Sequence, residues 1–307
     1  MELKLGIKSD PIEYRYSFEW LFRFMRDRGI RYLQLGSFFE LYTLDLAFFS
    51  ELRESAEKFN IRIKSCFTAH RELGGFFTGN RFMEACARRN YEEYIRKAAV
   101  LGADYCGSNP GAVYRDKPKY KEDGIRCYLE HMGELLALAK AEGLKGLTIE
   151  PMSSQYEPPS LPEEIISMVT DLGFRYRKNP DQLVPPYLCG DISHGIPGTD
   201  GTILFSHLEL FELSIPFLAE FHLKNTDTFY HSTFGFSKDE QKRGIVDLRE
   251  IAELIDKNRE KFPVEEVVAY LELGGPKLGR DDTDYQLERM LDDSLQSIGE
   301  TFRFELS

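Results

Sequence analysis

The chain has 307 residues, of which 42% are hydrophobic, and this is enough to bury a sizeable core in one barrel or two smaller domains. Its formal net charge of −12 repels the phosphate backbone of nucleic acids, so we expect no nucleic-acid partner. No apolar stretch approaches the roughly 20 residues that a membrane-spanning helix needs, so we expect no membrane partner either.

The opening segment "LKLGIKSD" is typical of a strand rather than of a signal peptide. The five cysteines are widely scattered and contain no CxxC pair, and several lie inside apolar runs. This usage predicts reduced thiols in the core of a cytoplasmic protein.

Short apolar runs alternate along the chain with amphipathic segments. Phe18, Leu21, Phe22 and Met25, for example, follow the spacing of one helical face. Most of the runs are apolar at nearly every position, as in parallel strands that are buried on both faces. The predicted strands are 3–8, 30–36, 61–68, 103–109, 145–151, 186–192, 218–224 and 267–273.

Eight strands alternating with helices predict a single (β/α)8 TIM barrel that occupies residues 1–307 as one domain. The alternative is an open doubly wound sheet. That fold usually carries a glycine-rich phosphate loop after its first strand. The segment "KSDPIEY" has no such loop, which favours the barrel.

Polar residues end four consecutive runs: Glu150, Asp191, His222 and Glu272. In this barrel the active site lies at the carboxyl ends of the strands, so these side chains should converge. Three carboxylates at close range repel one another unless a cation lies between them. Oxygen ligands with one imidazole suit Mn²⁺, Mg²⁺ or Co²⁺, with Zn²⁺ as an alternative.

We expect three further polar residues near the predicted strand ends to contact the substrate. His194 follows Asp191 by three residues, His70 ends the third strand, and Lys224 should point to the same side as His222. Lys224 is then the nearest cation for a substrate oxygen or phosphate. The loop "GGPKLGRDD" (274–282) follows the eighth strand, where this barrel often binds phosphate.

The order Glu150, Asp191 with His194, His222 and Glu272 resembles the xylose isomerase-like barrel superfamily, in particular its sugar and sugar-phosphate isomerases and ketose 3-epimerases. The resemblance implies one divalent metal held by the four residues, most often Mn²⁺. It also implies that Glu150 and Glu272 act as acid and base and that His194 contacts the sugar. A role in carbohydrate metabolism and assembly as a homodimer or homotetramer are further implications of the resemblance.

The chain departs from that pattern at two positions. Thr228 stands where the epimerases carry an Arg, six residues after the metal-binding His. Tyr156 stands where they carry a Glu, with Glu157 beside it as the nearest substrate-binding candidate. These differences leave the identity of the sugar open.

The predicted reaction is proton abstraction next to a carbonyl, which leads through an enediolate to ketose 3-epimerisation or to aldose–ketose isomerisation. A metal-dependent lyase or dehydratase using the same residues is the main alternative. An endonuclease IV-like repair enzyme needs more His and Asp ligands and a basic groove, which the acidic chain disfavours. A non-catalytic sugar-binding protein has no need of two convergent glutamates.

Overall fold

The computed structural model describes residues 1–36, 38–69, 72–198, 200–274 and 286–305. The strands are β1 Glu2–Lys8, β2 Tyr32–Leu35, β3 Arg62–Thr68, β4 Tyr105–Ser108, β5 Gly146–Ile149, β6 Pro186–Asp191, β7 Ile196–Pro197, β8 Ile203–Phe205, β9 Leu218–Leu223 and β10 Glu266–Leu271. The helices are α1 Phe18–Asp27, α2 Leu46–Lys58, α3 Arg81–Val100, α4 Lys121–Ala141, α5 Pro162–Lys178, α6 His207–Ser214, α7 Lys238–Arg243, α8 Leu248–Lys257 and α9 Leu287–Thr301.

Eight strands form a closed barrel in the order β1-β10-β9-β6-β5-β4-β3-β2, and helices connect them along the chain. The predicted (β/α)8 barrel is therefore confirmed, and each of the predicted strands overlaps a strand of the barrel. The short antiparallel pair of β7 and β8 was not predicted. Strands of two and three residues are too short to show a hydrophobic period, and the Gly- and Pro-rich sequence around them is typical of a loop.

The contacts divide the chain into two compact units. The first comprises Met1–Gly36, Glu54–Arg62 and Gly190–Ser307, and the second comprises Ser37–Arg53 and Ile63–Cys189. In the first unit β1 pairs in parallel with both β10 and β2. In the second unit β4 pairs in parallel with β3 and with β5. The assignment of residues 1–307 to one domain stays a prediction.

A glycine makes room for an aromatic side chain where β1 pairs with β10. Gly6 lies opposite Tyr270 in the register of the two strands. A Cβ atom on Gly6 would lie 2.5 Å from Cδ1 of Tyr270, which is closer than atoms can pack. The absence of a side chain at Gly6 therefore lets the Tyr270 ring pack in the core with Tyr32 and Val268.

Polar caps define where several helices begin. The Ser17 hydroxyl accepts a hydrogen bond from the Trp20 N–H, and the Asp247 carboxylate accepts one from the Arg249 N–H. Such caps satisfy N–H groups that have no partner inside the helix. None of the helices in the described residues is long and apolar enough to cross a bilayer.

Candidate metal centre

The four polar residues predicted at strand ends all lie at the carboxyl ends of barrel strands. Glu150 directly follows β5, and Asp191 is the last residue of β6. His222 is the second-last residue of β9, and Glu272 directly follows β10. We call these four residues the strand-end group. Asp191, His222 and Glu272 belong to the first unit, and one ligand atom of each lies within 4.8 Å of those of the other two. The assignment of Glu150 as the fourth member stays a prediction.

His222 links the two carboxylates that share its unit. Its Nδ1 atom lies 3.0 Å from Glu272 Oε2 and 3.8 Å from Asp191 Oδ2. The imidazole is fully buried, and the Asp191 side chain is buried as well. His222 Nδ1, Glu272 Oε2 and Asp191 Oδ2 are therefore three potential ligand atoms at close range.

Gln34, on β2, sets the orientation of the His222 ring. His222 Nε2 lies 2.8 Å from Oε1 of the buried Gln34 side chain. An amide oxygen can only accept, so Nε2 carries the hydrogen and donates it to Gln34. In a neutral ring Nδ1 then keeps its lone pair, directed at the two carboxylates. Hydrogen bonds of this kind orient the histidine ligands of metal sites.

Glu272 divides its two oxygens between different partners. Lys8, the last residue of β1, donates a hydrogen bond of 3.0 Å to Oε1 and also pairs with Asp10 at 2.9 Å. The other oxygen, Oε2, is buried and accepts no hydrogen bond from the described residues. Lys8 therefore holds the carboxylate in place while Oε2 faces His222.

Asp191 shows the same division. Its Oδ1 accepts hydrogen bonds from the Ser193 N–H and hydroxyl, each at 2.7 Å. Lys224 Nζ lies at an ion-pair distance of 2.9 Å from Oδ2, yet this oxygen accepts no well-aligned hydrogen bond within the described part of the chain. One oxygen of each carboxylate is thus anchored, and the other has unused capacity for a ligand.

The surroundings keep both carboxylates ionised. Burial by itself raises the pKa of Asp191, but His194 and Lys224 outweigh this effect and hold the pKa below its ordinary value. Burial also opposes ionisation of Glu272, and there the ammonium groups of Lys8 and Lys224 hold the pKa well below its usual range. Ionised carboxylates are the form that binds a cation.

The donor set fits a divalent metal. An imidazole lone pair 3.0 Å from a carboxylate oxygen is repulsive unless a cation or a proton lies between them. Two buried carboxylate oxygens that accept no hydrogen bond from the described residues add to this demand. Three carboxylates and one imidazole match the ligand preference of Mn²⁺ or Mg²⁺ and also suit Zn²⁺.

The predicted substrate contacts have different outcomes. His194 and Lys224 lie beside Asp191, with His194 Nε2 at 3.6 Å from Oδ2, and the Lys224 ammonium donates to His194 Nε2 at 3.0 Å. Glu157 is half-buried in the loop after β5, where its N–H donates to the Ser154 carbonyl. It does not belong to the strand-end group. His70 and residues 275–282 of the predicted phosphate loop lie outside the described residues.

Sequence reasoning missed three residues that hold the ligands in place: Lys8, Gln34 and Ser193. Lys8 ends the first predicted strand, and Gln34 interrupts the apolar second strand. Lys8 carries the same signal that identified the strand-end group, a polar residue at the end of an apolar run. Gln34 carries a different one, a polar residue within a buried strand.

Another close approach lies next to His194. A Cβ atom on Gly195 would lie 2.2 Å from Cζ of Tyr230. The tyrosine ring therefore packs directly on the backbone of Gly195. The backbone of Tyr230 has a positive φ of 60°, an uncommon conformation for a bulky residue. Tyr230 belongs to the loop after β9 and helps to enclose the segment that carries His194.

No protein-family model matches the chain, and no curated protein matches it in sequence. Solved structures do match. A candidate xylose isomerase from Rhodospirillum rubrum ATCC 11170 has 18% identity and a TM-score of 0.76, over 98% of this chain and 100% of that one. D-psicose 3-epimerase from Clostridium cellulolyticum H10, solved with D-tagatose, has 15% identity and a TM-score of 0.66, over 97% and 99%.

A candidate 3-DHS dehydratase, AsbF from Bacillus anthracis, is also similar, with 11% identity and a TM-score of 0.62 over 94% of this chain and 97% of that one. Identities this low speak for the fold and not for the activity. The predicted resemblance is confirmed at that level: the chain has the fold of the xylose isomerase-like barrels.

Proposed function

We propose that this protein is a divalent-metal-dependent isomerase or epimerase of a sugar or sugar phosphate. The observation that carries the proposal is the convergence of His222 Nδ1, Asp191 Oδ2 and Glu272 Oε2, and Glu150 is the proposed fourth ligand. The fold shared with sugar epimerases supports it.

The strand-end group would hold one divalent ion, with Mn²⁺ as the first candidate. When bound, the ion supplies Lewis acidity that stabilises negative charge developing on the substrate carbonyl oxygen. Gln34 and Lys8 contribute by holding His222 and Glu272 in a fixed orientation. A site arranged before the substrate binds does not need to reorganise during the reaction.

Glu150 and Glu272 are the proposed acid and base. One carboxylate removes the proton from the carbon next to the ketose carbonyl, and the electron pair of that C–H bond forms the enediolate. Return of a proton to the same carbon from the opposite face gives the 3-epimer. Return of the proton to the former carbonyl carbon gives the isomeric carbonyl compound. Positioned carboxylates contribute about 10²- to 10⁴-fold to such steps.

His194 and Lys224 are proposed to bind the substrate. Lys224 donates to His194 and lies beside Asp191, so the pair offers hydrogen-bond donors next to the ligands. A hydroxyl or phosphate oxygen of the sugar is the complementary group.

The same pair, His194 and Lys224, supports a second candidate function, because an ammonium group can protonate a leaving hydroxyl. The enediolate would then lose water, as in a dehydratase.

Proton exchange in D₂O tests the proposal. The protein is incubated with Mn²⁺ and a panel of ketoses and ketose phosphates, and the products are followed by NMR. Deuterium at C3 with inversion identifies an epimerase, and deuterium at C1 or C2 with aldose formation identifies an isomerase. Loss of water identifies the dehydratase. The proposal fails if no member of the panel exchanges a carbon-bound proton.

Two variants test the assigned roles. Glu150→Gln and Glu272→Gln should each slow the exchange by about 10²- to 10⁴-fold. Glu253→Gln, an exposed change on α8, serves as the matched control and should leave the rate unchanged. Full activity in either of the first two variants would remove that glutamate from the acid–base pair.

A further inference from the structure

A second set of ligand-type side chains lies on two helices of the second unit. Glu84 lies in the first turn of α3, and Cys127 and His131 lie on α4. Residues four apart share one face of a helix, so Cys127 and His131 point the same way. One ligand atom of each of the three residues lies within 4.8 Å of the others. We call Glu84, Cys127 and His131 the helix-face group.

Glu84 connects the other two members. Its Oε1 lies 2.8 Å from His131 Nε2, and the Cys127 thiol forms a hydrogen bond with the same carboxylate. The three side chains are half-buried, which leaves the group within reach of solvent. A small ion can therefore enter without unfolding either helix.

We propose that the helix-face group is a binding site for a thiophilic divalent cation of the zinc class. A thiolate, an imidazole and a carboxylate are ligand types that zinc accepts, and three protein ligands leave a fourth position for water. The thiolate and the carboxylate together carry two negative charges, which balance the charge of the ion. No residue is shared with the strand-end group, so the proposal does not depend on the proposed function.

Binding requires a proton to leave Cys127. Burial, together with the charges of Glu84 and Glu130, raises the pKa of the Cys127 thiol to about 11. The thiol is therefore protonated at neutral pH before the ion arrives. When the ion binds, the S–H proton passes to solvent and a sulfur–metal bond takes its place. Affinity should consequently increase with pH.

His131 can present Nε2 to the ion at small cost. Its Nδ1 atom lies 3.4 Å from a nitrogen of Arg88, a weak contact. Arg88 has stronger partners, with Glu92 at 2.7 Å and Glu134 at 2.6 Å. The imidazole can thus move its hydrogen to Nδ1 while Arg88 keeps both ion pairs. Phe76 packs on the imidazole, with ring centroids 4.7 Å apart, and limits its motion.

Cobalt substitution distinguishes the two groups, because the strand-end group offers only oxygen and nitrogen. Titration of the full chain with Co²⁺ should produce the near-ultraviolet band of sulfur-to-cobalt charge transfer. Cys127→Ser should abolish the band, and His131→Gln and Glu84→Gln should weaken the binding that produces it. Cys86→Ser is the matched control, since Cys86 is a half-buried thiol on α3 outside the group, and the band should be retained.

A second measurement uses the wild-type chain and needs no variant. Saturating Zn²⁺ should block alkylation of Cys127 by iodoacetamide, mapped by peptide mass spectrometry, while Cys86 continues to react. The proposal is overturned if excess Co²⁺ gives no charge-transfer band, if the band survives in Cys127→Ser, or if Zn²⁺ leaves the alkylation of Cys127 unchanged.

Discussion

The strand-end group and the helix-face group are both built from metal-ligand side chains, but they differ in how those side chains are held. In the strand-end group separate residues anchor the ligands, since Lys8 holds Glu272, Gln34 holds His222 and Ser193 holds Asp191. In the helix-face group the ligands bond to one another through Glu84.

This difference has an energetic consequence. Anchored ligands keep Asp191 Oδ2 and Glu272 Oε2 directed at His222, so a cation competes with Lys224 for Asp191 but leaves the hydrogen bonds of the anchors intact. Ligands that satisfy one another must exchange a hydrogen bond and a thiol proton for the metal. We therefore expect the strand-end group to be the stronger site for Mn²⁺ or Mg²⁺, and the helix-face group to be selective for thiophilic ions.

The largest effect should follow from removing a ligand of the strand-end group. Asp191→Asn should weaken Mn²⁺ binding by more than about 100-fold, because loss of a direct ligand exceeds the usual effect of losing a supporting residue. Isothermal titration calorimetry measures this directly. Asp239→Asn changes a fully exposed carboxylate and should bind Mn²⁺ as the wild type does. Equal affinity in the two variants would refute the assignment of Asp191 as a ligand.

A smaller effect should follow from removing an anchor. Gln34→Leu deprives the His222 Nε2–H of its acceptor and should lower Mn²⁺ affinity by about 10- to 100-fold. Gln34→Glu keeps an acceptor oxygen at that position and should remain closer to the wild type. If both variants bind Mn²⁺ equally well, the orientation of His222 does not depend on Gln34.

The pH dependence of stability gives a further test of the strand-end group in the metal-free protein. The folded-state pKa values of Asp191 and Glu272 lie below the ordinary values of 3.8 and 4.5. Their contribution to stability is therefore present above those values and is lost as the pH falls through the folded-state pKa values. The free energy of unfolding, measured with urea, should fall more steeply with decreasing pH below 4.5 in the wild type than in the double variant Asp191→Asn/Glu272→Gln.

The smallest effect concerns the helix-face group without metal. Because the pKa of Cys127 is raised to about 11, its alkylation rate should keep rising as the pH is increased to 10. Peptide mass spectrometry of iodoacetamide-treated protein measures the rate. In Glu84→Gln the rise should shift to lower pH, because the negative charge of Glu84, which raises the pKa of the Cys127 thiol, is removed. A rate that levels off near pH 8 would contradict the close pairing of Cys127 with Glu84.

Much of the strand-end group could be predicted because strands and their ends have local signals. Apolar runs mark the strands, and a polar residue such as Asp191 or Glu272 at the end of a run marks the rim of the barrel. Lys8 ends the first strand and carries the same signal, whereas Gln34 lies within the second strand. The position of Glu157 could not be predicted in this way, because it lies in a loop after β5. That loop is held by a contact that is distant in sequence, since the Tyr156 carbonyl accepts a hydrogen bond from the Val113 N–H.

The helix-face group shows a second limit. The helical period of the sequence places Cys127 and His131 on one face, but two such residues alone do not indicate a metal site. Glu84 lies on another helix, 47 positions before His131. Only the packing of α3 against α4 brings the carboxylate to the imidazole, and no local pattern encodes that distance.

The amino-acid sequence by itself determined the alternation of strands and helices, the barrel, and the four polar residues at neighbouring strand ends. The tertiary structure decided which charges meet there. Lys8 reaches Glu272 across 264 positions, and Lys224 pairs with Asp191 and His194. Local sequence restricts backbone dihedral angles and burial, whereas an ion pair depends on where distant strands lie once the barrel has closed.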